Sequence, residues 1–114
     1  MELSVLKSHM EAKAKEAAEA FLIKHYVGQD WGACGFAWVK IQPEHKGNTK
    51  LGKIERKKFE ALGATKDCTG KAWEIWNPST LGCQNIDAKE EGARVAAEIL
   101  CAEGYDARMG SRLD

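Results

Sequence analysis

Much that would identify a function is missing from this chain. No apolar run approaches the roughly 18 residues that span a bilayer, so no membrane role is expected. There is no Cys-x-x-Cys or His-x-x-x-His pair, and His9, His25 and His45 are scattered, so neither a metal site nor a bound cofactor is expected. Neither a Walker loop nor a dinucleotide fingerprint is present. The charge has no dominant sign: Lys plus Arg and Asp plus Glu are both 17, and the net charge is zero. That balance argues against a chain built wholly around nucleic acid or an anionic membrane, though not against a local basic patch.

A basic start followed by an apolar run is also lacking at the N-terminus, and the one Asn-x-Ser match, Asn77-Pro78-Ser79, carries the forbidding proline. The expected compartment is therefore cytoplasmic. The four cysteines, Cys34, Cys68, Cys83 and Cys101, are widely spaced. In a reducing compartment they read as small core residues rather than disulfides.

What is present fits one domain of 114 residues with 44% apolar content. We expect residues 1–28 to form an N-terminal helix and residues 35–114 a sheet with two helices. Leu3, Leu6, Met10, Ala14, Ala17 and Phe21 recur in steps of three or four. Their mean step of about 3.6 gives an apolar stripe on a helix over 2–27. A strict heptad from Leu3 lands on Lys13, a poor seam residue, so docking on the rest of the chain is favoured over a dimer seam. Gly28 stops the helix.

Phe36 to Ile41 alternates as a strand, Lys50 to Leu62 has helical spacing, and Lys71 to Trp76 reads as a second strand. Gly82 to Ile86 offers a short third strand. Asp87 and Glu90 resemble a capping box opening a helix to about Glu103, and Tyr105 to Met109 closes as a last strand. The order after the first helix is β-α-β-β-α-β. The predicted fold class is α+β: an N-terminal helix plus a ferredoxin-like antiparallel sheet with both helices on one face.

Strand alternation divides the aromatics between two faces. Ala37, Val39, Ile41, Trp73, Ile75, Ala107 and Met109 should meet the helices. Phe36, Trp38, Lys40, Glu74, Trp76, Asp106 and Arg108 collect on the other side. That second face is too apolar to lie bare. The N-terminal helix is its natural cover, since Ala14 and Ala17 allow close approach to indoles. A platform for a stacked planar ligand and a subunit interface are the alternatives.

Lys46, Lys50, Lys53, Arg56, Lys57 and Lys58 are opposed locally only by Glu55. Lys50, Lys53 and Lys57 share one helix face at its N-terminal end, where free N–H groups favour anions. Phosphate fits such a segment, with a solvated helix face the favoured reading. A catalytic constellation is not evident. Cys34 lies in a glycine turn, but no base or acid–base pair is marked out by spacing.

Cys34-Gly-Phe-Ala-Trp-Val39, the Leu62-Gly63 helix end and the Gly110-Ser-Arg-Leu-Asp114 tail resemble small uncharacterised proteins of tailed bacteriophages, over roughly residues 20–114. The resemblance implies a phage product acting in the bacterial host cytoplasm, and it draws attention to Gly35, Trp38, Arg112 and Asp114. Arg112 and Asp114 either clamp a polar ligand or pin the C-terminus to the sheet, with pinning favoured.

Together these readings predict a non-catalytic binding protein that acts on a host component and sequesters a phosphate-bearing small molecule or nucleotide. Its ligand would be held by Trp38, Trp76, Lys50, Lys53, Lys57, Arg108 and Arg112. The rivals are nucleic-acid binding through the basic helix 50–58, capture of a host protein, and an oligomeric role using the long N-terminal helix.

Overall fold

The computed structural model describes all residues from Met1 to Asp114. The chain runs α1 (Leu3–Tyr26), β1 (Gly35–Gln42), α2 (Lys50–Ala61), β2 (Thr65–Lys66), β3 (Trp73–Trp76), α3 (Ile86–Ala102) and β4 (Asp106–Leu113). The four strands form one antiparallel sheet in the order β2-β3-β1-β4. No helix is long and apolar enough to cross a membrane.

α1 is rich in alanine, the best helix former, and carries Lys–Glu pairs at helical spacing such as Lys7–Glu11 at 2.7 Å. It ends where Val27 turns left-handed and the Gly28 N–H donates to the Leu22 carbonyl at 2.9 Å. Its buried stripe is Leu6, Met10, Ala14, Ala18 and Leu22. Beyond Ala14 the expected Ala17 and Phe21 are thus replaced by Ala18 and Leu22, which makes a step of four throughout. α3 answers with its own step of four, Ala88, Gly92, Ala96 and Leu100, all buried. Two small-residue ridges of this kind let helices approach closely. A Cβ on Gly92 would stand 2.9 Å from the Ser79 Cβ and 3.1 Å from the Ala14 carbonyl oxygen.

That pairing decides where α1 lies. Leu6, Met10 and Ala14 share one core cluster with Ala37, Val39 and Ile41 of β1 and Ala93, Ala96 and Leu100 of α3. α1 therefore stands beside α3 on the face expected to meet the helices. The expectation that α1 covers Trp38 and Trp76 is overturned, because its alanine ridge fits the alanine–glycine ridge of α3.

Three further expectations are corrected. Gly82–Ile86 forms no strand: the Gln84 and Asn85 N–H groups go to the Asp30 carboxylate at 3.0 and 3.1 Å, leaving one isolated bridge between Cys34 and Asn85. The extra strand is β2, a two-residue edge of β3. α3 is capped by Asn85, whose side chain accepts the Ala88 N–H at 2.9 Å, rather than by Asp87. The cysteines are not core residues: Cys34, Cys68 and Cys101 are exposed and Cys83 half-buried, all free thiols. Alanines supply the small residues of the core instead.

Candidate functional site

The register of β1 fixes what faces outward. Trp38 pairs with Trp76 on one side and Gly110 on the other; Lys40 pairs with Glu74 and Arg108; Phe36 pairs with Arg112. Directly paired residues of an antiparallel sheet share a face. The face read from alternation is thus assembled, with Arg112 added by the length of β4. It lies on the opposite side of the sheet from Ala37, Val39, Ile41 and Ile75, which are buried under α1 and α3.

The aromatics on this face touch one another. Trp38 and Trp76 have ring centroids 5.0 Å apart at 36°, and Phe36 meets Trp76 edge-on at 6.1 Å. Trp76 is 47% exposed, while Trp38 and Phe36 are half-buried. β2 pairs only with Trp73 and Glu74, so no strand flanks Trp76 on its outer side. Gly110 provides the bed for Trp38: a Cβ there would lie 2.6 Å from the indole Nε1. The indole lies flat across β4 because that residue has no side chain. Gly110→Ala should therefore lift Trp38 away and abolish the exciton coupling between the two indoles in circular dichroism. An unchanged couplet would show that the ring does not depend on that hollow.

Positive charge borders the rings. The Arg112 guanidinium sits 5.4 Å from the Phe36 centroid and the Lys89 ammonium 5.5 Å from it, with Lys89 also donating to the Gly35 carbonyl at 3.0 Å. Arg108 is 81% exposed and has only a loose contact with Asp106 at 4.0 Å. Lys40 forms no ion pair. The second acid of the face, Glu74, accepts the Trp76 indole N–H at 3.0 Å.

Of the residues proposed from sequence, Trp38, Trp76, Arg108 and Arg112 come together here. Lys50, Lys53 and Lys57 do not. They are exposed on α2, which is anchored through Phe59 against Trp73 of the opposite face, at 5.5 Å between ring centroids. The N-terminus of α2 is also capped. The Thr49 hydroxyl accepts the Gly52 N–H at 3.0 Å, the Thr49 carbonyl accepts the Lys53 N–H, and the Lys46 carbonyl presses on Gly52. Of the free N–H groups invoked for an anion there, that of Gly52 is taken by the helix's own cap. Asp114 pins the chain end, its N–H donating to the Cys34 carbonyl at 3.0 Å.

Other chemically suggestive groups lie away from the aromatic face. Donor atoms of Glu44, His45 and Glu55 cluster within 4.8 Å, but both Glu55 oxygens accept backbone N–H groups, from Glu44 at 2.8 Å and His45 at 3.2 Å. They tie the loop to α2. A cleft of about 220 Å³ beside them is lined by Tyr105, Leu51, Ile54, Glu103 and Asp106 among others. Burial pushes the Tyr105 phenol up, with help from Glu103 and Glu55. Burial likewise raises the Cys83 thiol, and the adjacent Asp30 charge adds to it. The Thr69 hydroxyl, with backbone N–H groups, holds the Asp67 carboxyl below its ordinary value in the β2–β3 turn. Nothing joins Cys34 to a histidine: its thiol meets Gln84, and His25 stacks on Phe21.

No protein-family model, curated protein or solved structure matches the chain, and nothing in these comparisons links it to a phage family.

Proposed function

We propose that this chain is a non-catalytic binding protein that takes a planar, anionic group, with a nucleotide as the model ligand, on its open aromatic face. One observation carries the reading. The Trp38–Trp76 pair is left uncovered by α1 and is bordered by Arg108, Arg112 and Lys40. Indoles offer a base a stacking surface worth about 1–3 kcal/mol, and the guanidinium groups supply charge-assisted bonds to phosphate. The β-α-β-β-α-β order with β1 and β3 central supports a split-βαβ, ferredoxin-like reading of the sheet. The motif resemblance makes a host component the proposed target.

A single nucleotide engaging one stack and one charge should bind weakly, with Kd on the order of 1 mM. Titrating nucleoside monophosphates and triphosphates at low salt should quench tryptophan emission, and added salt should reverse the quenching. A flat titration across purine and pyrimidine nucleotides would remove the proposal.

A further inference from the structure

We infer that the ligand of the aromatic face is single-stranded nucleic acid, read across more than one base, and that the sheet rather than the basic helix α2 carries it. This rests on the proposed stacking role of Trp38 and Trp76 and adds the size and class of the occupant.

The first argument is the layout of charge. Arg108 and Arg112 lie on one face of β4, four residues apart, which is about 14 Å along a strand. The ring pair lies between them, Trp38 sitting opposite Gly110. A mononucleotide presents its phosphates at one point. Sites for such a group converge backbone N–H groups or cations on that point, as helix N-termini and nests do. Here the cations are strung out on either side of the stacking surface. That arrangement follows a backbone whose phosphates repeat at intervals.

The second argument is the state of the bases. Trp38 and Trp76 form a shallow exposed surface on an open sheet. Paired bases inside a duplex present no free ring face to it, whereas unstacked bases of a single strand do. Trp38 and Trp76 supply two ring surfaces. Phe36 seats the Arg112 guanidinium, which offers either a planar stack or a phosphate contact.

The third argument is the alternative surface. The α2 lysines have no aromatic beside them in any pairing of the structure, and the helix N-terminus is capped and roofed. Of the acids on the aromatic face, Glu74 accepts the Trp76 indole N–H and Asp106 has only its loose contact with Arg108, and neither Lys40 nor Arg112 forms an ion pair.

The test is a length series of fluorescently labelled oligothymidylates and oligouridylates, from one to eight nucleotides, read by anisotropy with the full chain. Affinity should rise roughly tenfold per added nucleotide through about four, then level. The slope of log affinity against log salt should be about −1.4 to −2 for two or three phosphate contacts, and Arg108→Gln or Arg112→Gln should each reduce it by about 0.7. Lys53→Glu with Lys57→Glu should leave both quantities within twofold. Mononucleotide binding with no gain on lengthening would overturn this inference and leave the proposed function standing. No binding at any length would remove both. Loss of binding in the α2 variants alone, or a homodimer that buries Trp38 and Trp76 and excludes the oligomer, would also overturn it.

Discussion

Phe59→Ala is expected to lower the melting temperature by about 12–20 °C while leaving the aromatic face intact. Phe59 is 1% exposed and packs against Trp73 at 5.5 Å and Tyr105 at 6.1 Å between ring centroids. Within α2 only Gly52 and Phe59 are buried, with Leu62 just beyond the helix end. Truncating the one large anchor of a lightly held helix removes its apolar burial and leaves a cavity, about 3–5 kcal/mol for Phe to Ala. That is a large part of the roughly 5–15 kcal/mol available to a native domain. A loss of this size corresponds to the stated shift for a chain of this length. Amide exchange should locate the damage, with α2 losing protection before β1 and α3. At a temperature where the variant is folded, oligonucleotide binding should match the parent, since α2 and the indoles lie on opposite faces. A melting shift under about 2 °C would mean that α2 is held elsewhere.

The same separation shows which parts of the molecule were legible in its sequence. Period-two alternation in Phe36–Ile41, Lys71–Trp76 and Tyr105–Met109 placed Trp38, Trp76 and Arg108 on one face, because the rule depends only on strand geometry. Arg112 joins them because β4 runs on to Leu113, past Met109, the expected end of the strand. β2 was illegible: a Thr65–Lys66 pair has no periodicity to read, and its existence depends on β3 lying alongside. Gly82–Ile86 read as a strand because nothing in the sequence announces that Asp30, more than 50 residues away, takes its N–H groups. The position of α1 turned on a pairing of ridges between two distant helices. Ala14 fits either indoles or glycine, and only the buried step of four in α3, centred on Gly92, decides between them. The charge of the Lys50–Lys58 segment was plain, but its place was not. Phe59, immediately after it, anchors α2 on the far face of the sheet. Gly110 carried a signal that could have been used: a glycine inside a strand commonly marks a place where something lies close over the backbone.

Replacing both Trp38 and Trp76 by Ala should abolish most of the oligonucleotide affinity at little cost to folding. Two stacked bases contribute about 2–6 kcal/mol, so the double variant should bind about 30-fold to 10⁴-fold more weakly. The folding cost should be modest, because Trp76 is 47% exposed and the ring pair adds only about 0.5–1.5 kcal/mol beyond its buried area. The single variants should differ in a way that a merely structural pair would not. Trp76→Ala removes a ring and also strips Glu74 of the indole N–H that it accepts at 3.0 Å. The freed carboxylate then faces the approaching phosphates beside Lys40, its partner on β1, and offsets that positive charge. Trp38→Ala removes only a ring. Phe substitutions sharpen the contrast, since both keep a stacking surface but Trp76→Phe still loses the bond to Glu74. Trp38→Phe should therefore bind within a few-fold of the parent, and Trp76→Phe distinctly worse. Adding Glu74→Gln to Trp76→Phe should recover most of that difference, because the amide carries no charge to repel the backbone. Wild-type affinity in the double Ala variant, measured by anisotropy, would show that the indoles serve the sheet alone.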